Sequence, residues 1–272
     1  MTRIAASQNS TSDLSTRVRH LETSGRDTCM VTLVGMQHVA AEAGLSVDRF
    51  NKWLSERPNL RALVRSSVQK ANAPIAKARF RREVDKVNSP LRLEIGGHNS
   101  RPGWIVTNVN AVTRLYLDAT RRWPLSDGSI EYIFSDNVIE HLTLEAGRQM
   151  LQEARRCLRP GGVIRTVTPD LRAHVDMYLQ GDGVVNNEVA LHYRDIGMQV
   201  EYPIDLIRIP VAAFGHHAGY LYDFETLAAE LQRAGFSNIV RCSLGESEHE
   251  ALRDLDLRGH EGGAQLAVEA TA

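Results

Sequence analysis

Between positions 91 and 170, apolar and β-branched residues gather in short runs, and each run ends in Gly, Asn, Asp or Ser. The runs at 91–95, 104–109, 115–118, 130–135 and 163–168 predict strands of a buried parallel sheet, because strands covered on both faces read as compact apolar blocks. Such a sheet presents its loops along one edge, where α/β folds bind ligands. Helical spacing takes over at 144–158, where Met150, Leu151, Ala154 and Leu158 form one stripe. Thr143 stands at the cap position, Glu145 lies in the first turn, and Pro160-Gly161-Gly162 stops the helix. Asp223 predicts the cap of a further helix carrying Leu227, Ala228 and Leu231 and closed by Gly235; 239–242 and 266–270 read as the last two strands.

The connections are unusual. Only residues 96–103 separate the first two strand candidates, and 110–114 the next two. An ordinary crossover needs about ten to twelve residues. Two helices are therefore missing or reduced to turns, and something else must cover the sheet. Residues 30–44, a face with Phe50, Trp53 and Leu54, a repeat of Leu60, Leu63, Val64 and Val68, and 71–87 with Pro74 near its first turn all predict helices. These N-terminal helices are expected to supply the missing cover. Residues 1–28 lack apolar periodicity and predict a disordered tail. The expected organisation is a tail (1–28), a helical extension (29–88) and a main domain (89–272). Within that domain, 171–222 is less regular and bears many His and Tyr residues, as expected of a lid or acceptor pocket.

Composition narrows the class. Of 272 residues, 43% are hydrophobic and 24% charged, ordinary globular values. There is no run of about 18 apolar residues for a membrane span and no signal-like core near the start. Three separated cysteines (Cys29, Cys157, Cys242) argue against a disulfide framework and fit a reducing cytoplasm. The net charge of −1 is uneven: residues 49–86 hold eleven Lys/Arg against three Asp/Glu. That block could meet an anionic surface peripherally or a nucleic acid, but a solvated helix face is the simpler account.

Five motifs in order then carry a specific resemblance: Leu93-Glu94-Ile95-Gly96-Gly97; Gly103-Trp104; Leu117-Asp118 with Trp123-Pro-Leu-Ser-Asp-Gly-Ser; Phe134 to Leu142; and Leu151 to Gly162. The chain resembles class I S-adenosylmethionine (SAM)-dependent methyltransferases, in a trimmed form whose glycine loop runs almost directly into a Gly-Trp strand. The resemblance covers 91–170 well and 220–270 more loosely. It implies an α/β, Rossmann-like fold with a mainly parallel seven-stranded sheet, an antiparallel last strand and reduced helices between the first three strands. SAM is the implied cofactor.

Carried over position by position, the resemblance assigns cofactor contacts. Gly96 and Gly97 let backbone approach the ligand. Glu94 lies near the methionine ammonium. Asp118 and Ala119 meet the adenine, and Ser135 and Asn137 border the methionine part. The family places an acid at the end of the second strand for the ribose; here Asn108 or Asn110 stands there, so the charge-assisted part of that contact is lost. Asp136, Glu140, His216 and Tyr220 are assigned to the acceptor.

Methyl transfer is an in-line displacement in which the protein aligns donor and acceptor. A hydroxyl acceptor must also lose a proton, which suits a histidine. His141 is the first candidate, with His217 and Asp170 as further catalytic candidates. His216-His217 with Asp170 could instead hold a divalent cation such as Mg, though a hydrogen-bonded loop histidine is the simpler account and no metal ligand is assigned. The expected activity is O-methylation of a small molecule, sugar or glycan. The alternatives are a SAM-binding protein without turnover, motivated by Asn108, and a nucleic-acid methyltransferase, which the sequence Asp136-Asn137-Val138-Ile139 disfavours for want of a base-stacking element. Homodimerisation is left open.

Overall fold

The structure, a computed structural model, describes residues 58–87, 90–257 and 264–272. The expectations for the tail and the first helices lie outside these residues. The chain divides into two compact units, 1–78 with 110–114 and 79–109 with 115–272. In the first, the Asn72 amide donates to the Thr113 carbonyl at 2.8 Å. Helix α1 (Pro58–Lys86) is continuous, where the sequence predicts a break. Pro58 opens the helix, where its missing N–H costs nothing. Pro74 removes one internal hydrogen bond, and the helix formers around it (Lys70, Ala71, Ala73, Ala76) carry the helix through.

The second unit is built on a six-stranded sheet. In our numbering the strands are β1 (Leu91–Ile95), β2 (Ile105–Thr107), β3 (Ile130–Asp136), β4 (Leu158–Pro169), β5 (Ser237–Cys242) and β6 (Gln265–Thr271), in the order β2-β1-β3-β4-β6-β5. The first four are parallel, and β6 runs antiparallel to both of its neighbours. The strand expected at 115–118 is reduced to a single parallel bridge, Asn108 to Tyr116. Leu115 and Leu117 are buried there all the same, so the apolar pattern marked a core-lining segment that is too short for a ladder. Pro160-Gly161-Gly162 does not precede β4 but lies inside it, at the point where the β3–β4 register shifts. Gly161 takes φ +75°, and the segment bonds to the C-terminal residue, Gly161 N–H to Ala272 at 3.1 Å and Ala272 N–H to Gly162 at 2.9 Å.

One face of the sheet packs on α2 (Leu144–Cys157), capped by Thr143 as predicted, and on α6 (Phe224–Arg233), capped by Asp223. Met150, Leu151, Ala154, Leu227 and Leu231 are fully buried there. Phe80 and Val84, from the last turns of α1, join the same core. The opposite face is covered near β3 and β4 by a loop instead of a helix. Phe134, Val167 and Ala267 pack there with Trp104, Leu244 and Leu255. Buried Arg165 ties that loop down through Asp256, Glu269 and the carbonyls of Ser243 and Glu246, at 2.7–2.9 Å. The segment after β5 thus covers this part of the sheet.

Residues 171–222 form a helical body rather than an irregular lid. It comprises α3 (Leu171–Leu179), α4 (Glu188–Asp195) and α5 (Asp205–Ala212). The body has its own core of Met177, Val189, Tyr193, Leu206 and Ile209. Among the described residues, no helix is long and apolar enough to cross a membrane.

Candidate active site

Strand β1 has β2 on one side and β3 on the other, so the chain's winding reverses there, and the crevice above such a point is where α/β sheets bind ligands. A cleft of about 720 Å³ opens at that point, lined by Glu94, Gly96, Gly97, Arg101, Asp136 and Asn137 among others. Gly96 is left-handed at φ +82°, and a Cβ on it would fall 2.3 Å from Val138 Cγ2. A Cβ on Gly97 would meet Val106 at 2.4 Å and the Glu94 carboxylate at 2.5 Å. Both glycines therefore suit the loop's own packing, where a side chain would meet these neighbours.

The cleft fits SAM. Its volume lies within the usual ligand range, the glycine loop forms a cradle without side chains, and Glu94 and Asp136 offer carboxylates to a cationic ammonium. Arg101 was not singled out in the sequence. Its Nε donates to Glu94 at 2.8 Å, and its guanidinium lies 5.6 Å from the Phe134 ring centre. Basic residues shortly after a Gly-Gly loop were the available signal.

Asn108 is committed to the glycine loop. Its amide donates to the carbonyls of Gly96 at 2.8 Å and Gly97 at 3.1 Å, and its oxygen accepts from Val109 N–H at 2.7 Å. An aspartate would set a carboxylate against two carbonyl oxygens. Asn108→Asp is therefore expected to destabilise the loop by about 1–3 kcal/mol and to weaken SAM binding in calorimetry; tighter binding would show instead that this position reads the ribose. Asp118 accepts from Thr120 N–H, from the Thr120 hydroxyl and from Arg121. Buried Ala119 accepts from the Trp123 indole at 3.2 Å. Neither residue lines the cleft.

The end of β3 and the loop after it supply Asp136, Asn137 and His141 to the cleft lining. Asn137 is left-handed at φ 48°, and its N–H donates to Val167 at 2.9 Å. A tight turn, Ile139–His141, follows, with Ile139 and Glu140 fully buried. Against it lies a second turn, His216–Ala218, from the helical insertion. The contact is close: a Cβ on Gly219 would fall 1.8 Å from the Glu140 carbonyl oxygen. The two turns bring Glu140, His141 and His216 together. The His141 and His216 ring centres are 4.7 Å apart, and His216 Nε2 is 4.0 Å from Glu140 Oε1. Thr168 Oγ1 donates to Glu140 Oε2 at 3.3 Å.

Burial pushes the Glu140 carboxyl up to about 8, although hydrogen bonds from its own backbone and from Thr168 oppose the shift. His141 is exposed at the mouth. Partial burial of its ring, and then the neighbouring His216, hold it below the ordinary histidine value.

A second pocket, of about 320 Å³, lies between this loop and the insertion, lined by Asn137, His141, His192, Pro210, Phe214 and His216 among others. Asn137 and His141 line both cavities. His192, Phe214 and Gln265 also line this pocket without being assigned from the sequence; the first two depend on how the insertion folds, and Gln265 begins β6.

Other predicted residues are placed elsewhere. His217 is exposed and lines neither cavity, because adjacent residues in a turn point apart. Asp170 is buried and spent on structure: it caps α3 through Arg172 and Ala173 N–H and accepts from Arg241. Tyr220 stacks edge-on to Tyr222, with ring centres 5.0 Å apart. Ser135 is fully buried beside Thr166 on β4, and among the described residues neither hydroxyl has a hydrogen-bond partner.

Residues 102–166 match the family model described as a methyltransferase domain. No curated protein matches the chain. Similar solved structures include the CurJ carbon methyltransferase (17% identity, covering 76% of this chain and 55% of that one, TM-score 0.39). A Thermotoga maritima SAM-dependent methyltransferase, a possible histamine N-methyltransferase by its description, is 16% identical over 86% of this chain and 99% of its own, with TM-score 0.38. One from Archaeoglobus fulgidus is 16% identical over 72% and 92%, with TM-score 0.40. The chain thus spans about half of the first of these and nearly all of the other two. The matched segment, 102–166, runs from β2 into β4 and includes the loop after β3 that borders the glycine-loop cleft.

Proposed function

We propose that the protein methylates a hydroxyl of a small acceptor, with a sugar or glycan hydroxyl as the first class to test. One observation carries this reading: the cofactor cleft and the pocket beside the insertion share Asn137 and His141. Two ligands seated in these cavities would meet at those residues. When bound, SAM supplies the electrophilic methyl group. Glu94, Asp136 and the glycine loop would hold its polar end, and Asn137 and His141 would mark the border with the acceptor.

His141 takes the acceptor proton. Its ring is open to the acceptor pocket, and burial lowers its pKa below the ordinary histidine value, which favours the proton-accepting form. The pocket, at about 320 Å³, suits a small acceptor. Its lining mixes imidazole groups with Pro210 and Phe214, which fits a ring carrying both hydroxyls and an apolar face. Residues 89–272 carry the reaction, 171–222 supply the acceptor side, and the enzyme works in the cytoplasm.

Radiolabelled SAM incubated with a panel of sugars, phenols and amines tests this reading. Label is expected in hydroxylated acceptors, and incorporation confined to nitrogen or carbon acceptors would rule the reading out.

A further inference from the structure

We propose that Glu140, His141 and His216 form a binding site for a divalent metal ion of the nitrogen- and oxygen-ligated class (Zn, Mn, Fe or Co) at the floor of the acceptor pocket. One ligand atom from each residue lies within 4.8 Å of the others. The two buried members face each other across 4.0 Å, His216 Nε2 to Glu140 Oε1. Metal bonds to imidazole nitrogen and carboxylate oxygen are about 2.0–2.2 Å, so an ion between them reaches both with little movement.

The tautomer supports this arrangement. His216 Nδ1 lies 2.8 Å from the Pro210 carbonyl, which can only accept, so Nδ1 carries the hydrogen. In the neutral ring, Nε2 then turns a lone pair towards the carboxyl oxygen of Glu140. Two lone pairs facing each other in a buried setting call for a cation or a proton between them. The outer contacts are also those of a ligand set. A metal-bound histidine usually donates its second N–H to a carbonyl, and a ligating carboxylate is itself hydrogen-bonded. His216 has Pro210, and Glu140 has Thr168.

Two imidazoles and one carboxylate favour transition metals over magnesium, which prefers an all-oxygen octahedron. The set differs from the one weighed from sequence, with Glu140 and His141 replacing His217 and Asp170. His141 and His216 both line the acceptor pocket, so the remaining coordination positions face that pocket and suit a substrate oxygen.

The catalytic consequence rests on the O-methyltransferase reading above. An acceptor hydroxyl coordinated to the ion becomes more acidic. Its proton passes to water, and the oxygen keeps the electron pair with which it takes the methyl group. His141 then serves as a ligand, and the ion replaces it in activating the acceptor. The two modes belong to the metal-loaded and metal-free enzyme.

The test uses the full chain stripped with EDTA and titrated with Co²⁺ by visible absorption, with Zn²⁺ competition by calorimetry. One saturable equivalent is expected. His141→Ala and His216→Ala should each weaken it by more than about 100-fold, beyond the usual effect of an outer-shell change. His217→Ala should leave it unchanged. No saturable binding, or binding indifferent to both His141→Ala and His216→Ala, overturns the proposal. His141 is exposed, so its variant reports even if His216→Ala fails to fold. SAM calorimetry and turnover on the stripped protein probe the methyltransferase reading separately: binding and turnover without a Co²⁺ site would remove the metal and leave the enzyme.

Discussion

His141→Ala is expected to lower kcat by about 10²–10⁴-fold, with a much smaller change in SAM affinity. The reasoning is geometric. His141 lines both cavities, so its ring is the titratable group that an acceptor hydroxyl would meet beside the cofactor. The substitution is also structurally mild. The turn's close packing is made through backbone, since Gly219 lies against the carbonyl of Glu140 and the carbonyl carbon of His141. Removing an exposed imidazole leaves that contact in place. Steady-state kinetics checks the prediction by separating kcat from KM. A fall of only a few fold in kcat would mean that His141 shapes the loop without receiving the proton. Repeating the comparison on chelator-treated enzyme distinguishes loss of a proton acceptor from loss of a metal ligand.

Arg165→Ala is expected to cost about 3–5 kcal/mol of stability, the usual penalty for breaking a buried ion pair from one side. Arg165, Asp256 and Glu269 are all buried, and the arginine bonds to both carboxylates at 2.7 Å. Without it, two carboxylates lie uncompensated beside the apolar cluster of Phe134, Val167 and Ala267. The carbonyls of Ser243 and Glu246 lose their donor as well. Urea denaturation measures the change as a lower midpoint. A loss below about 1 kcal/mol, the level of an exposed pair, would show that solvent reaches this network. Replacing all three residues with apolar ones should recover much of the loss, because most of the cost is charge left without a partner.

This triad also shows where reading the chain stops. Arg165 stands in an apolar run, and nothing local marks its partners, which lie 91 and 104 positions away. Phe134 and Val167 need a cover on that face, and the loop after β5 supplies much of it although its residues carry no helical period. Asn108 gives a parallel case. Its departure from an acid was visible, but its use was not, because the carbonyls it binds are brought beside it only when β1 and β2 pair.

The parts that local physics governs were legible in the sequence. Thr143 and Asp223 cap their helices because a short side-chain oxygen satisfies the first free N–H groups wherever a helix begins. The strands β1 and β3 follow from compact apolar runs, and Gly96-Gly97 from the need for a loop without Cβ atoms. These local signals pointed to the fold class; SAM came from the resemblance to the methyltransferase family, and His141 from its position just after the β3 loop. The meeting of Glu140, His141 and His216 was decided by tertiary structure. His216 was chosen over His217 by the direction of one turn, and Asp170 was drawn away by a helix cap and Arg241. Spacing along the chain says which side chains share an element; which side chains meet across elements depends on how the helical insertion packs on the β3 loop.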